Sequence, residues 1–104
     1  MPRLEWEASD PAAAYVPAAL DRDGFVHCTD GADELAATAN RHFAAFSGDL
    51  CALVVDRARL GADVRYEDPG GIYPHVYGPI ERDAILKVLS MPRGVGGEFL
   101  APAE

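Results

Sequence analysis

Basic residues are scarce in this chain: nine lysines and arginines face seventeen aspartates and glutamates over 104 residues, a net charge of −8. Nucleic-acid binders carry a basic face that displaces counterions from phosphate, so no nucleic-acid partner is expected. One arginine and a few backbone amides would still suffice for a small nucleotide. Long apolar runs are missing too. The longest, Leu50 to Val55, falls far short of the ~20 residues that cross a bilayer, and no membrane partner is expected. The opening Met1-Pro2-Arg3 turns acidic at once, without the basic-then-apolar order of a signal peptide, so the expected location is cytoplasmic. Cysteine is limited to Cys28 and Cys51, which form no Cys-x-x-Cys pair. Both are expected to be free thiols acting mainly as small buried hydrophobes. No phosphate-binding P-loop, dinucleotide-binding glycine pattern or nucleophile elbow occurs, and there is no repeat or heptad period.

Hydrophobic content of 49% and charged content of 25% are ordinary for a folded protein, and a chain this short holds one core. A single domain over residues 1–104 is expected. Arg3 to Ala8 predicts a helical turn anchored by Trp6, and Pro17 argues against a long helix over Ala12 to Leu20. Asp21-Arg22-Asp23-Gly24 reads as a turn. Phe25 to Cys28 then reads as a short strand, with Val26 and Cys28 on one face and Phe25 and His27 on the other. Thr29 or Asp30 is placed to cap a helix over Ala32 to Phe46, whose Leu35, Ala39, Phe43 and Phe46 form one apolar stripe. Ser47-Gly48-Asp49 would stop it. Leu50 to Val55 predicts a central strand covered on both faces, against which the stripe packs. Arg57 to Leu60 suggests a single turn and Val64 to Glu67 a weaker strand. The prolines at 74 and 79 point to edge or loop geometry for Tyr73 to Ile80. Ala84 to Met91 suits a strand, although Asp83 to Leu89 also suits a short helix. Glu98-Phe99-Leu100 offers a last edge strand. The sum is an α+β fold with a mostly antiparallel sheet and one main helix.

Two segments hold most of the chemistry: Asp23 to Asp30, with His27, and Gly70 to Pro79, with His75. Each sets one histidine in an apolar run preceded by glycine. Such histidines at element ends hold ligands or move protons, so His27 and His75 are expected to face one cleft. Glu67, at a strand end, is the carboxylate that could orient a hydroxyl or support a cationic transition state. Thr29, Tyr73 and Tyr77 would line the cleft, with Arg65 at its margin. His42 falls on the border of the helix stripe and is expected to be a boundary residue. A zinc site from His27, Cys28, His75 and Glu67 can be drawn, but no ligand-pair spacing supports it and no metal is expected. A nucleophilic Cys28 is equally unsupported.

At these residues the chain resembles the bacterial family called domain of unknown function 952. The resemblance runs from about Trp6 to Met91. It is carried by Gly24-Phe25-Val26-His27-Cys28-Thr29, Thr38-Ala39-Asn40-Arg41-His42-Phe43, Tyr66-Glu67 and, most specifically, Pro74-His75-Val76-Tyr77-Gly78-Pro79-Ile80. That family is similar in fold to the ADP-ribosyltransferase superfamily, whose members hold NAD between two small sheets. The resemblance therefore implies a split antiparallel sheet and makes NAD a possible ligand. It likens His27-Cys28-Thr29 to the superfamily's second-strand position and Glu67, loosely, to its catalytic glutamate. The family's usual opening strand, of the form Leu-Tyr-His-Ile, has no counterpart ahead of Trp6. Either another segment stands in for it or the site lacks that histidine.

The leading expectation is a small-molecule site for a nucleotide-like or other polar, ring-bearing metabolite, with glycosyl-type transfer or acid–base work by the two histidines if the protein is an enzyme. The alternatives are a non-catalytic binding or accessory domain and a histidine-based acid–base enzyme in small-molecule biosynthesis.

Overall fold

The computed structural model describes residues 1–102. Its elements run α1 (Arg3–Glu7), α2 (Ala18–Asp23), β1 (Val26–His27), α3 (Ala32–His42), β2 (Cys51–Val55), β3 (Val64–Tyr66), β4 (Pro74–Val76) and β5 (Ile85–Ser90), with single 3-10 turns at Arg57–Arg59 and Arg82–Ala84. The strands form two antiparallel sheets, one ordered β1-β4-β3 and the other β2-β5. This is an α+β architecture with few helices, as the sequence suggests.

Apolar alternation explains how the two sheets share one interior. Tyr15, Val26, Val76, Ile80 and Ala84 form one buried cluster, joined by Trp6, Leu20, Cys28, Leu53 and Val55. Ala39, Leu50, Ala52, Met91 and Phe99 form the other, joined by Leu35, Phe43, Phe46 and Leu89. Successive strand residues face opposite ways, so Leu50 and Ala52 serve the second cluster while Leu53 and Val55 serve the first. The segment is covered on both faces, as expected. It is less central than its composition implies: β5 pairs along it on one side. On the other side, among the described residues, the isolated Pro2–Leu50 bridge adjoins its start. Arg82 fastens the stretch before Tyr15, bonding the carbonyls of Asp10 and Ala13, each at 2.6 Å, and lying over the Trp6 ring at 4.5 Å.

Several sequence expectations need correction. Asp21 to Gly24 is not a free turn. Pro17 begins α2, and Gly24, at φ 82°, closes it with its N–H on Leu20 O at 2.9 Å. Proline is tolerated where a helix starts because its missing N–H has no helical partner there. Neither Thr29 nor Asp30 caps α3. Its N-cap is Gly31, at φ 94°, with no side-chain cap, and the Asp30 carboxylate instead accepts the Tyr66 hydroxyl at 2.6 Å. The main helix stops at His42 rather than Phe46. Phe43 leaves helical geometry at φ −121° and meets Phe46 edge-to-face at 5.9 Å, so the stripe's last two aromatics reach the core from the turn beyond the helix. β4 is the centre of its sheet, not an edge. Pro74 is its first residue, a strand position that tolerates the missing N–H, and Pro74 O accepts from Cys28 N at 3.0 Å. Of the two readings for Ala84 to Met91, the strand is the one that forms, over Ile85–Ser90. In place of the edge strand expected over Glu98 to Leu100, an isolated Arg93–Phe99 bridge forms among the described residues.

Candidate functional site

The three-stranded sheet places the candidate residues by register. His27 on β1 pairs with His75 on β4, and His75 pairs with Arg65 on β3, so the three form one cross-strand row. Val26 and Val76, one position away, point into the core, which leaves the histidines on the outer face. The imidazole centroids lie 5.5 Å apart, edge to face. Forty-eight positions of sequence close because the hydrogen-bonded ladder sets Cβ atoms of facing residues ~5 Å apart.

Phe25 organises the rings. It stacks on His75 at 4.1 Å and 19°, and lies 4.7 Å from His27 and 5.3 Å from Tyr77. Each histidine also meets a carboxylate. His27 Nε2 is 2.9 Å from Oδ2 of Asp23, and His75 Nδ1 is 3.1 Å from Oε1 of Glu67. The Tyr77 hydroxyl donates to the same Glu67 oxygen, and the Arg65 guanidinium lies over the Tyr77 ring at 4.4 Å. The His27 side chain is 54% exposed and that of His75 19%, so the row runs from open solvent toward a sheltered centre.

The charges follow from these contacts. The Tyr77 hydroxyl, and after it His75, hold the Glu67 carboxyl below its ordinary value, and the same bond raises the Tyr77 phenol. Hydrogen bonds from Arg22 and then His27 hold Asp23 low. Burial pushes the Cys28 thiol up to about 11. The thiolate is the nucleophilic form, so Cys28 is a poor nucleophile and packs with the core.

His27, His75, Glu67, Tyr77 and Arg65 are thus brought together. Tyr73 is directed elsewhere: its hydroxyl accepts from Arg41 Nη2 at 3.2 Å, on α3. Half-buried Thr29 lies two residues past His27, where the ladder ends. Phe25 and Asp23 were not among the candidates. Phe25 was legible from its alternation with His27. Asp23 was hidden because it reads as a turn residue; it lies four residues before His27, and only the α2–Gly24 geometry turns it back. Among the described residues, no three of His, Cys, Asp and Glu cluster as metal ligands.

Over residues 1–88 the chain matches the family described as Protein of unknown function (DUF952), and it belongs to that family. Among solved structures it is similar to protein CC0527 from Caulobacter crescentus, at 25% identity and a TM-score of 0.75, covering 99% of this chain and 89% of that one. A double mutant of the same protein matches at 24% identity and a TM-score of 0.74, with the same coverage. No curated protein matches the chain.

Proposed function

We propose that the outer face of the three-stranded sheet binds a small, polar, ring-bearing metabolite of nucleotide type, and that the reaction it serves is glycosyl-type, ADP-ribosyl-like transfer. One observation carries this reading: two imidazoles 5.5 Å apart on facing strands, each paired with its own carboxylate. Imidazoles aligned by carboxylates accept and return protons near neutral pH. In glycosyl transfer the bond from the sugar's anomeric carbon to its leaving base breaks, and the electron pair departs with the base. The acceptor's oxygen or nitrogen then bonds that carbon and gives up its proton, for which an imidazole is the receiver. Glu67, ionised and anchored by Tyr77, stands where it can bond a sugar hydroxyl or face positive charge on the sugar.

An ADP-ribosyltransferase-like fold belongs to the same proposal. It is supported by the division into two small antiparallel sheets. The donor set suits NAD as substrate: the guanidinium of Arg65, 55% exposed, for a diphosphate, the Phe25 and Tyr77 rings for a base, and Glu67 for a ribose. Thr29, just past the end of β1, would extend that set, whereas Tyr73, bonded to Arg41, stands apart from it.

The test is a thermal-shift panel of NAD, ADP-ribose, AMP and sugar phosphates. A ligand at one hundred times its Kd adds about 2.7 kcal/mol, which for a domain this size raises Tm by roughly 10 °C or more. One nucleotide class should produce that rise, and His27→Ala and His75→Ala should abolish it while their unliganded Tm stays close to that of the parent. Chromatography of NAD mixtures would show released nicotinamide. A flat panel, or equal shifts in both variants, contradicts the proposal; binding without product favours an accessory domain.

A further inference from the structure

The two imidazole–carboxylate contacts use different ring nitrogens. His27 turns Nε2 to Asp23, and His75 turns Nδ1 to Glu67. An ionised carboxylate only accepts hydrogen bonds, so the nitrogen facing it carries the proton, and in a neutral ring the other nitrogen is a lone pair. Both carboxylates are kept ionised by further donors. Arg22 bonds Asp23 at 3.1 to 3.3 Å, and the Tyr77 hydroxyl bonds Glu67.

We propose that His27 and His75 are held in opposite tautomers, Nε2–H in His27 and Nδ1–H in His75, with Asp23 the positioning residue for the first as Glu67 is for the second. The inference rests on the acid–base role proposed for this face and names the working atoms: Nδ1 of His27 and Nε2 of His75. Asp23 is the last residue of α2 and reaches His27 from the β1 edge of the sheet. Glu67 follows β3 and reaches His75 from the opposite edge. The neutral pair therefore offers a ligand two acceptors and no donor, a pattern that hydroxyl or amine groups match. A fully ionised phosphate matches it only once a ring is protonated.

Long-range proton–nitrogen correlation spectra of 15N-labelled protein at alkaline pH read each tautomer directly, with exposed His42 as the internal reference. Free histidine favours Nε2–H, so His75 is the diagnostic ring. The expected result is a pyrrole-like Nδ1 and pyridine-like Nε2 in His75, with the reverse in His27. Glu67→Ala should send His75 over to the His42 pattern. Asp23→Ala should make the His27 Nε2 proton exchange with water about tenfold faster or more, since it loses a charge-assisted bond. The unmodified protein alone decides the tautomers: Nε2–H at His75 overturns the proposal. Retention of Nδ1–H in Glu67→Ala, or unchanged exchange in Asp23→Ala, overturns the role of that carboxylate. None of these spectra needs a ligand, so a flat metabolite panel would sink the proposed function without touching them.

Discussion

At the scale of single residues, Glu67 joins two neighbours of this face, meeting both the His75 imidazole and the Tyr77 hydroxyl. Its carboxyl is held low by Tyr77 first and His75 second. A depressed carboxylate contributes stability above its unfolded value, and that contribution is lost as pH falls through the lower folded value. Tyr77→Phe removes the larger cause. The Glu67 carboxyl carbon, followed by NMR titration, should then show its midpoint move up toward the ordinary glutamate range, and the Glu67 share of the acid limb of the stability curve should shrink, because the folded and unfolded chains then take up that proton at nearly the same pH. A midpoint unmoved by Tyr77→Phe would mean that the hydroxyl bond does not hold the charge. In the sequence, His27, His75 and Glu67 stand out by residue type and by their place at element ends. Their partners do not. Alternation puts Phe25 on the face of His27 but does not show that its ring stacks on His75, and Asp23 reads as one more turn acid because a bend through a left-handed glycine leaves no trace in spacing.

Between residues and the whole lie the elements, where punctuation decided what could be read. Gly24 is the hinge between α2 and β1, at φ 82°. A Cβ there would meet nothing within 4 Å, so the cost of Gly24→Ala is the left-handed backbone alone, about 1 kcal/mol. Urea denaturation should show that loss, and the Asp23–His27 contact should loosen with it; a neutral substitution would mean that the hinge relaxes. Just ahead of β2, Leu50 is 1% exposed and packs in one cluster with Ala39, Ala52 and Phe99. Leu50→Ala should cost about 2–5 kcal/mol, as large-to-small changes in tight cores do. A loss below about 1 kcal/mol would contradict the packing of α3 on β2. The apolar stripe of α3 and the two-faced run of β2 were legible because burial writes periodicity into sequence. The end of α3 and the rank of β4 were not. Phe43 and Phe46 keep helical spacing while leaving the helix, and Pro74 reads as a strand breaker although it stands at a strand's first residue, where proline is tolerated.

Taken as a whole molecule, two small sheets share an interior, and the three-stranded one carries His27, His75 and Arg65 in one row. The antiparallel α+β class follows from short strands, turn glycines and one amphipathic helix, all visible in the chain. The split into two sheets depends on which strands find each other at long range, and local pattern does not encode that choice. Binding is expected to be confined to the histidine row. A shallow depression of about 290 Å³ beside Trp6, Arg82 and Leu86 lies elsewhere on the molecule and offers no paired imidazoles. The most direct measurement is therefore a backbone 1H–15N titration with NAD and, separately, AMP, mapped residue by residue. The expected result is saturable shifts at 25–29, 63–67 and 73–77 that disappear in His75→Ala. Shifts centred on Trp6 and Leu86, or none at any concentration of either nucleotide, would contradict the assignment of this face as the nucleotide site.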